Sequence, residues 1–263
     1  MKAARFLWAC GVAGASLCAP ALALTQANAP VVAVLYFDNN SFGKDRADYE
    51  GLGKGIADLL INDMASNPSM RVVERDRLQS ILQEQNLVAA KNVDPQTAVR
   101  LGKLLGAQYM VTGGFMSDGK GTLLVTSRVI SVETGAITNP MRLESKGDDV
   151  LALITQLSTK LNSELKLPAL PRQTGNVTPT KPESPSAASG AEKQASAGQT
   201  AAPKPQKSQK LDVKTALLYS KALDEQDSGH PERAAELYRA VLDKFPDFGP
   251  AKQNLAKVQK PGH

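Results

Sequence analysis

The sequence predicts an α/β fold: a mixed sheet of about five strands with flanking helices, followed by a small C-terminal helical segment. Three observations predict it. Val31 to Phe37 is a near-continuous apolar run, as expected of a central strand covered on both faces. A short apolar run begins near Met70 and closes on Val72-Val73, and after a charge cluster Leu78, Ile81 and Leu82 recur at helical spacing: a strand over Met70 to Glu74 feeding an amphipathic helix. Leu123 to Val132 and Ala136 to Glu144 are β-rich runs joined across Glu133-Thr134-Gly135, a hairpin.

The chain begins with a different kind of segment. Lys2 and Arg5 precede an apolar core from Phe6 to Leu17, and Ala21-Leu22-Ala23 supplies small residues at a cleavage position. This is the pattern of a secretory signal peptide over 1–23, with an alternative cleavage after residue 29 at Ala27-Asn28-Ala29. A membrane helix needs roughly 20 apolar residues, and Pro20 interrupts this run. Both cysteines, Cys10 and Cys18, lie in it, so the exported chain is expected to lack disulfides, thiol nucleophiles and cysteine metal sites. Leu17 before Cys18 and Trp8 before Ala9-Cys10 do not make a lipidation signal. The expected location is the periplasm, peripheral to the outer membrane at most.

The next elements follow in order. Asp38 to Ser41 are turn formers that end the first strand, and Phe42 to Glu50 reads as a polar loop. Gly51, Gly53 and Gly55 open a helix whose apolar face is Ile56, Leu59, Leu60 and Met64, ended by Asn67-Pro68. The second helix runs from Asp76 to about Leu87. Asp94-Pro95 is an N-cap followed by proline at the first helical position. Ala98, Leu101, Leu104 and Leu105 are that helix's buried stripe, with Gly106 as a left-handed terminator. Gln108 to Phe115 is a strand in which Gly113-Gly114 marks a bulge or a close approach. Val150, Ile154, Leu157, Leu161 and Leu165 define the last helix of a domain over 30–166.

Residues 167–210 change in kind. Pro168 to Lys210 holds seven prolines, no aromatic residue, and six Lys/Arg against two Glu. Such a stretch buries too little apolar surface to offset its chain entropy and reads as a disordered tether. It also explains the charge. The formal +5 includes Lys2 and Arg5, leaving +5 − 2 = +3, while the tether alone carries 6 − 2 = +4. The folded parts are near neutral, which argues against a nucleic-acid-binding face. Over 211–259, Leu218, Ala222, Gly229, Ala234, Tyr238 and Pro246 fall at the offsets of one tetratricopeptide repeat, with Lys221 and Glu225 as departures.

Histidine occurs only at 230 and 263. With no His or Cys in the α/β part, Ser-His-Asp and Cys-His catalysis and histidine-zinc chemistry lack their residues. The expectation is a protein that is not an enzyme and needs no cofactor. Three weaker signals remain. Gly51-x-Gly53-x-Gly55 precedes a helix, but no Gly-Lys-Ser/Thr follows, so a flexible helix start is preferred over a phosphate cradle. Asp38 and Glu74 end two strands and would be the carboxylates of a magnesium- or nucleotide-dependent enzyme, the reading given least weight. Glu74, Arg75, Asp76 and Arg77 form the densest charge cluster: either a solvated helix start or an intersubunit ion-pair patch.

The chain also resembles a known family. Val32-Ala33-Val34-Leu35-x-Phe37-x-Asn39, Gly53-x-Gly55-Ile56-Ala57-Asp58-x-Leu60, Arg71-Val72-Val73-Glu74-Arg75-x-x-Leu78 and Ala98-x-x-Leu101-Gly102-x-x-Leu105-Gly106-Ala107-x-Tyr109-x-Val111-x-Gly113, closing with Thr134-Gly135, resemble the curli production assembly/transport (CsgG) family over about Pro30 to Leu165. The resemblance implies a periplasmic domain that self-associates and binds protein partners in the cell envelope, as an assembly or secretion accessory. An activator of a peptidoglycan synthase, reaching or touching peptidoglycan, is the alternative. The family's secretion pore is not implied. Ser117 to Gly121 is only five residues and Phe42 to Glu50 nine, whereas a membrane hairpin needs roughly 20.

Overall fold

The computed structural model describes residues 29–87, 93–120, 122–138, 140–145, 149–166 and 210–260; the expected signal peptide and most of the expected tether lie outside them. A six-stranded mixed sheet forms the middle layer, in the order β3-β1-β4-β5-β6. Here β1 is Val31–Val34, β3 Arg71–Val72, β4 Tyr109–Ser117, β5 Leu123–Ser131 and β6 Met141–Ser145; β2, Asp38–Asn39, pairs with β4 beyond the end of β1. β1 runs parallel to β3 (Val31 opposite Arg71) and to β4 (Val32 opposite Tyr109). β4, β5 and β6 are antiparallel, with Val125 opposite both Phe115 and Leu143.

β1 alternates between two cores. Val32 and Val34 face one side, where α2 (Leu52–Ala65) and α5 (Val150–Glu164) supply Ile56, Leu60, Leu157 and Leu161. Ala33 and Leu35 face the other, where α3 (Arg75–Glu84) and α4 (Pro95–Leu105) supply Leu78, Leu82, Leu101 and Leu105. The α4 ends match their sequence signals. The Asp94 side chain accepts from the backbone N–H groups of Gln96 and Thr97, and Gly106 sits at φ 67°.

Three more helices follow: α6 (Val213–Asp227), α7 (Pro231–Lys244) and α8 (Gly249–Gln259). α6 packs on α2, so these helices form an extra layer outside the α/β layers. Tyr219, Leu223, Tyr238 and Phe248 join the apolar cluster of α2 and α5. The rings of Tyr219 and Phe248 meet edge to face at 5.1 Å, a favoured aromatic geometry.

Four expectations are corrected. The run Val31–Phe37 is not one strand. The Phe37 N–H leaves the sheet for the carbonyl of Gly53, and pairing resumes at Asp38–Asn39, read from sequence as a turn. The turn comes later, where Asn39 Oδ1 accepts from the Ser41 N–H. The loop 42–50 contains a short helix, α1 (Lys44–Asp48). The second helix starts at Arg75 and ends at Glu84, before Asn86 at φ 55°. β6 starts at Met141, after Pro140, which has no N–H for the ladder; Ile137 makes only an isolated bridge to Ile130.

The β4–β5 register is unbroken through Gly113 and Gly114, so they mark close approach and not a bulge. A Cβ on Gly113 would lie 2.2 Å from the Thr126 carbonyl oxygen. Gly53 is tighter, with a Cβ there lying 1.8 Å from the Phe37 carbonyl oxygen, a backbone atom that cannot rotate away. Gly53→Ala is therefore expected to destabilise by about 1–2 kcal/mol although alanine is the better helix former. Urea denaturation checks this; a stability gain would show that β1 and α2 adjust freely.

Candidate functional site

Sequence places Arg75 at the first turn of α3, three residues past the end of β3. Glu74 is extended (ψ 145°) and offers no side-chain cap, so the helix begins with Arg75 itself. That geometry turns the guanidinium into the seam between α2, α3 and α6, where its side chain is only 3% exposed. Nη1 lies 2.6 and 2.7 Å from the two carboxylate oxygens of Asp227 on α6. Nη2 donates to Asp76 at 2.8 Å, and Nε lies 3.3 Å from Asp58 on α2. Three carboxylates from three helices therefore converge on one planar cation, the group best shaped to hold them.

A second cation extends the joint. Lys54 Nζ lies 2.5 Å from Asp224 and 2.9 Å from Asp227. It also sits 5.4 Å from the centre of the Tyr36 ring. Below these pairs, the Tyr219 hydroxyl donates to Asp58 Oδ2 at 2.5 Å and accepts from Asn254 Nδ2 at 2.9 Å. Asp58 also accepts from Asn62. Lys257 reaches Asp76 at 3.0 Å, but both side chains are about half exposed and the pair contributes little.

Burial sets the electrostatics. It pushes the Asp58 carboxyl up, against the Tyr219 hydrogen bond and the Arg75 charge that pull it down. Burial would lower Arg75, but the Asp227 charge and hydrogen bonds overcome it and hold the guanidinium more firmly protonated. The two partners shift differently because Arg75 is anchored by Asp227 at 2.6 Å, while its contact with Asp58 is 3.3 Å. Burial raises the hydroxyls of Tyr36, Tyr219 and Tyr238, so all three serve as neutral donors.

The four charges expected to act together are divided. Arg75 is buried in the joint and Asp76 sits at its edge, while Glu74 and Arg77 are exposed. Asp38 and Glu74 do not form one carboxylate pair in the sheet. Asp38 is in β2 on the β4 side, and Glu74 follows β3 on the other side of β1. Among the described residues, no group of three or more His, Cys, Asp or Glu could hold a metal ion.

The three glycines are not a flexible helix start. Gly51 is the N-cap at φ −78°, and Gly53 and Gly55 lie inside α2. A Cβ on Gly55 would meet Ser220 Oγ at 2.0 Å, and one on Gly51 would meet Asp224 at 2.7 Å. Two of the three glycines therefore clear the seat for α6. Lys54, Asp58, Tyr219, Asp224, Asp227 and Asn254 were not read from sequence as site residues. The available signal was Asp58, a carboxylate set inside the apolar stripe Ile56, Leu59 and Leu60.

A groove of about 1080 Å³ adjoins the joint, crossing the carboxyl end of β1. Its rim mixes Arg46, Lys221 and Arg128 with Asp38 and Asp48, so it selects no single ligand charge.

No curated protein matches the chain. The LpoB C-terminal domain from Salmonella enterica is 15% identical, covering 45% of this chain and 83% of its own, at a TM-score of 0.33. Lipoprotein GNA1162 from Neisseria meningitidis is 14% identical, covering 52% and 96%, at 0.35. The PelC dodecamer from Paraburkholderia phytofirmans is 16% identical, covering 53% and 89%, at 0.31. A family model, the curli production assembly/transport component CsgG, matches residues 21–122. That match ends before β5, short of the resemblance read to Leu165, and leaves α6–α8 outside. It spans β1–β4 with Lys54, Asp58 and Arg75, so the part of the chain that matches the CsgG family model is the α/β side of the charged joint.

Proposed function

We propose that this chain is a non-catalytic interaction and assembly factor of the bacterial cell envelope, acting in the periplasm. The observation that carries this reading is the Arg75 joint. A buried charge of the CsgG-family domain, Arg75, holds a second helical layer and lies outside the lining of the adjoining groove. In this reading the α/β domain engages the envelope. The tetratricopeptide-like helices, joined through a long tether, present a second surface to a partner protein. Arg75 and Asp76 are the joint residues, and the exposed Glu74 and Arg77 are available to a neighbour.

The test is in-cell crosslinking followed by affinity purification from the periplasm, with a chain lacking residues 211–263 as the comparison. One or more envelope proteins should be recovered with the full chain and fall away with the deletion. Recovery of a peptidoglycan synthase would select the activator role over an assembly role. Recovery of no envelope protein by either chain would overturn the reading.

A further inference from the structure

We propose that the α2–α3 face is a socket whose occupant, helices α6–α8, can also be supplied by a second copy of this chain. This deepens the assembly reading by naming a partner, although it rests on the geometry of the joint and not on envelope recovery.

Three observations carry it. First, recognition is complementary across the seam. The socket presents Lys54 and Arg75 with Gly51 and Gly55 cleared between them, and α6 presents Asp224 and Asp227 with Ser220 and Tyr219. Every partner that α6 meets across this seam is on the α/β side of any copy.

Second, the covalent connection imposes no choice of copy. Leu211 sits against Val150, its carbonyl accepting from the Val150 N–H at 2.9 Å, at the start of α5. Lys166 lies just past the other end of that 15-residue helix. The ends to be joined are thus only about 25 Å apart at 1.5 Å per helical residue. Residues 167–209 number 43, and a chain of that length reaches about 140 Å when extended. Closure onto the same copy needs only a small part of that length, which leaves enough chain to reach the socket of a neighbour.

Third, the helices cannot stand uncovered. Tyr219, Leu223 and Phe248 are buried in the shared core, and release without a new seat would expose them together. A second copy offers the matching seat.

Tethering raises the local concentration of the chain's own helices to the order of millimolar. The self-docked form therefore dominates dilute protein, and the test must remove that competition. In the full chain with Cys10→Ser and Cys18→Ser, Gly51→Cys and Asp224→Cys together should form an intramolecular disulfide, because a Cβ on residue 51 lies 3.9 Å from Asp224 Cγ. The two cysteines are then divided. One copy carries Gly51→Cys with Asp227→Lys, which keeps its socket but sets a cation against Arg75 and Lys54 on its own helices. The other carries Asp224→Cys with Gly55→Gln, which keeps its helices but blocks its own socket at Ser220.

Mixed under oxidising conditions, these copies should give a disulfide-linked dimer at least about tenfold more abundant than copies carrying the single cysteines alone. Failure of the intramolecular disulfide would overturn the socket itself. Its formation with no cross-copy dimer above that of a cysteine pair on exposed, unrelated positions would overturn the exchange. Neither result depends on an envelope partner.

Discussion

Arg75→Ala should uncouple helices α6–α8 from the α/β layers and cost about 3–5 kcal/mol, the range for removing one partner from a buried ion pair. Asp227 is 8% and Asp58 6% exposed, and both would remain with much of their compensation gone. Lys54 still holds Asp227 at 2.9 Å and Tyr219 still holds Asp58, which keeps the loss within that range. The effect should be local at first. The α2–α5 core is continuous under the sheet and does not need the guanidinium. Denaturation should therefore separate into an early step for α6–α8 and a later one for the α/β part, and amide exchange should rise first on α6. Arg75→Lys should fall between, because an ammonium can follow Asp227 but cannot serve three carboxylates in fixed directions. One cooperative transition in Arg75→Ala, shifted by less than about 1 kcal/mol, would show that apolar packing alone seats the helices.

The layers were legible in sequence and the joint was not, for one physical reason. A helix stripe is a local pattern. Ile56, Leu60 and Met64, or Leu78 and Leu82, show their buried face within a few turns, and Asp94 and Gly106 mark the ends of α4 by their own backbone chemistry. The joint pairs residues far apart in the chain: Arg75 with Asp227 across 152 positions and Asp58 with Tyr219 across 161. No spacing rule reaches that far. The charge cluster was visible, but only its Arg75 and Asp76 turn toward the seam, because α3 begins one residue earlier than expected and Arg75 is its first residue. β2 was missed because Asp38 and Asn39 are turn formers by composition. They pair because β4 outlasts β1 and leaves its edge open there, at Gly114 and Phe115. The glycines misled in the same way. Gly55 looks like freedom at a helix start until α6, from the far end of the chain, is laid against it.

Tyr219→Phe should cost about 1–3 kcal/mol, because one hydroxyl serves two buried polar groups and only Asn62 still donates to Asp58 Oδ2. Asp58 Oδ2 loses its shortest donor, and Asn254 Nδ2 loses its acceptor. The loss should also depend on pH, with a sign fixed by Asp58. Its carboxyl is raised in the folded chain, so folding takes up a proton more readily than the unfolded chain does. That contribution is fully present below the ordinary carboxylate range and is lost as pH rises through the raised folded value. The Tyr219 hydrogen bond is the foremost influence holding the raised value down. Without it Asp58 rises further, and ionising the carboxyl at neutral pH becomes more costly. The stability gap between wild type and Tyr219→Phe should therefore be widest near neutrality and narrow in mild acid, where Asp58 accepts a proton in the variant. Urea denaturation of both proteins across that range measures the gap. In an Asp58→Asn background the pH dependence of the gap should vanish, whatever that substitution does to stability itself. A gap independent of pH in the native background would mean that the short contact between Tyr219 and Asp58 involves a carboxyl already protonated at neutral pH. The joint would then be held by Arg75, Lys54 and Asp227, with Asp58 as a neutral member.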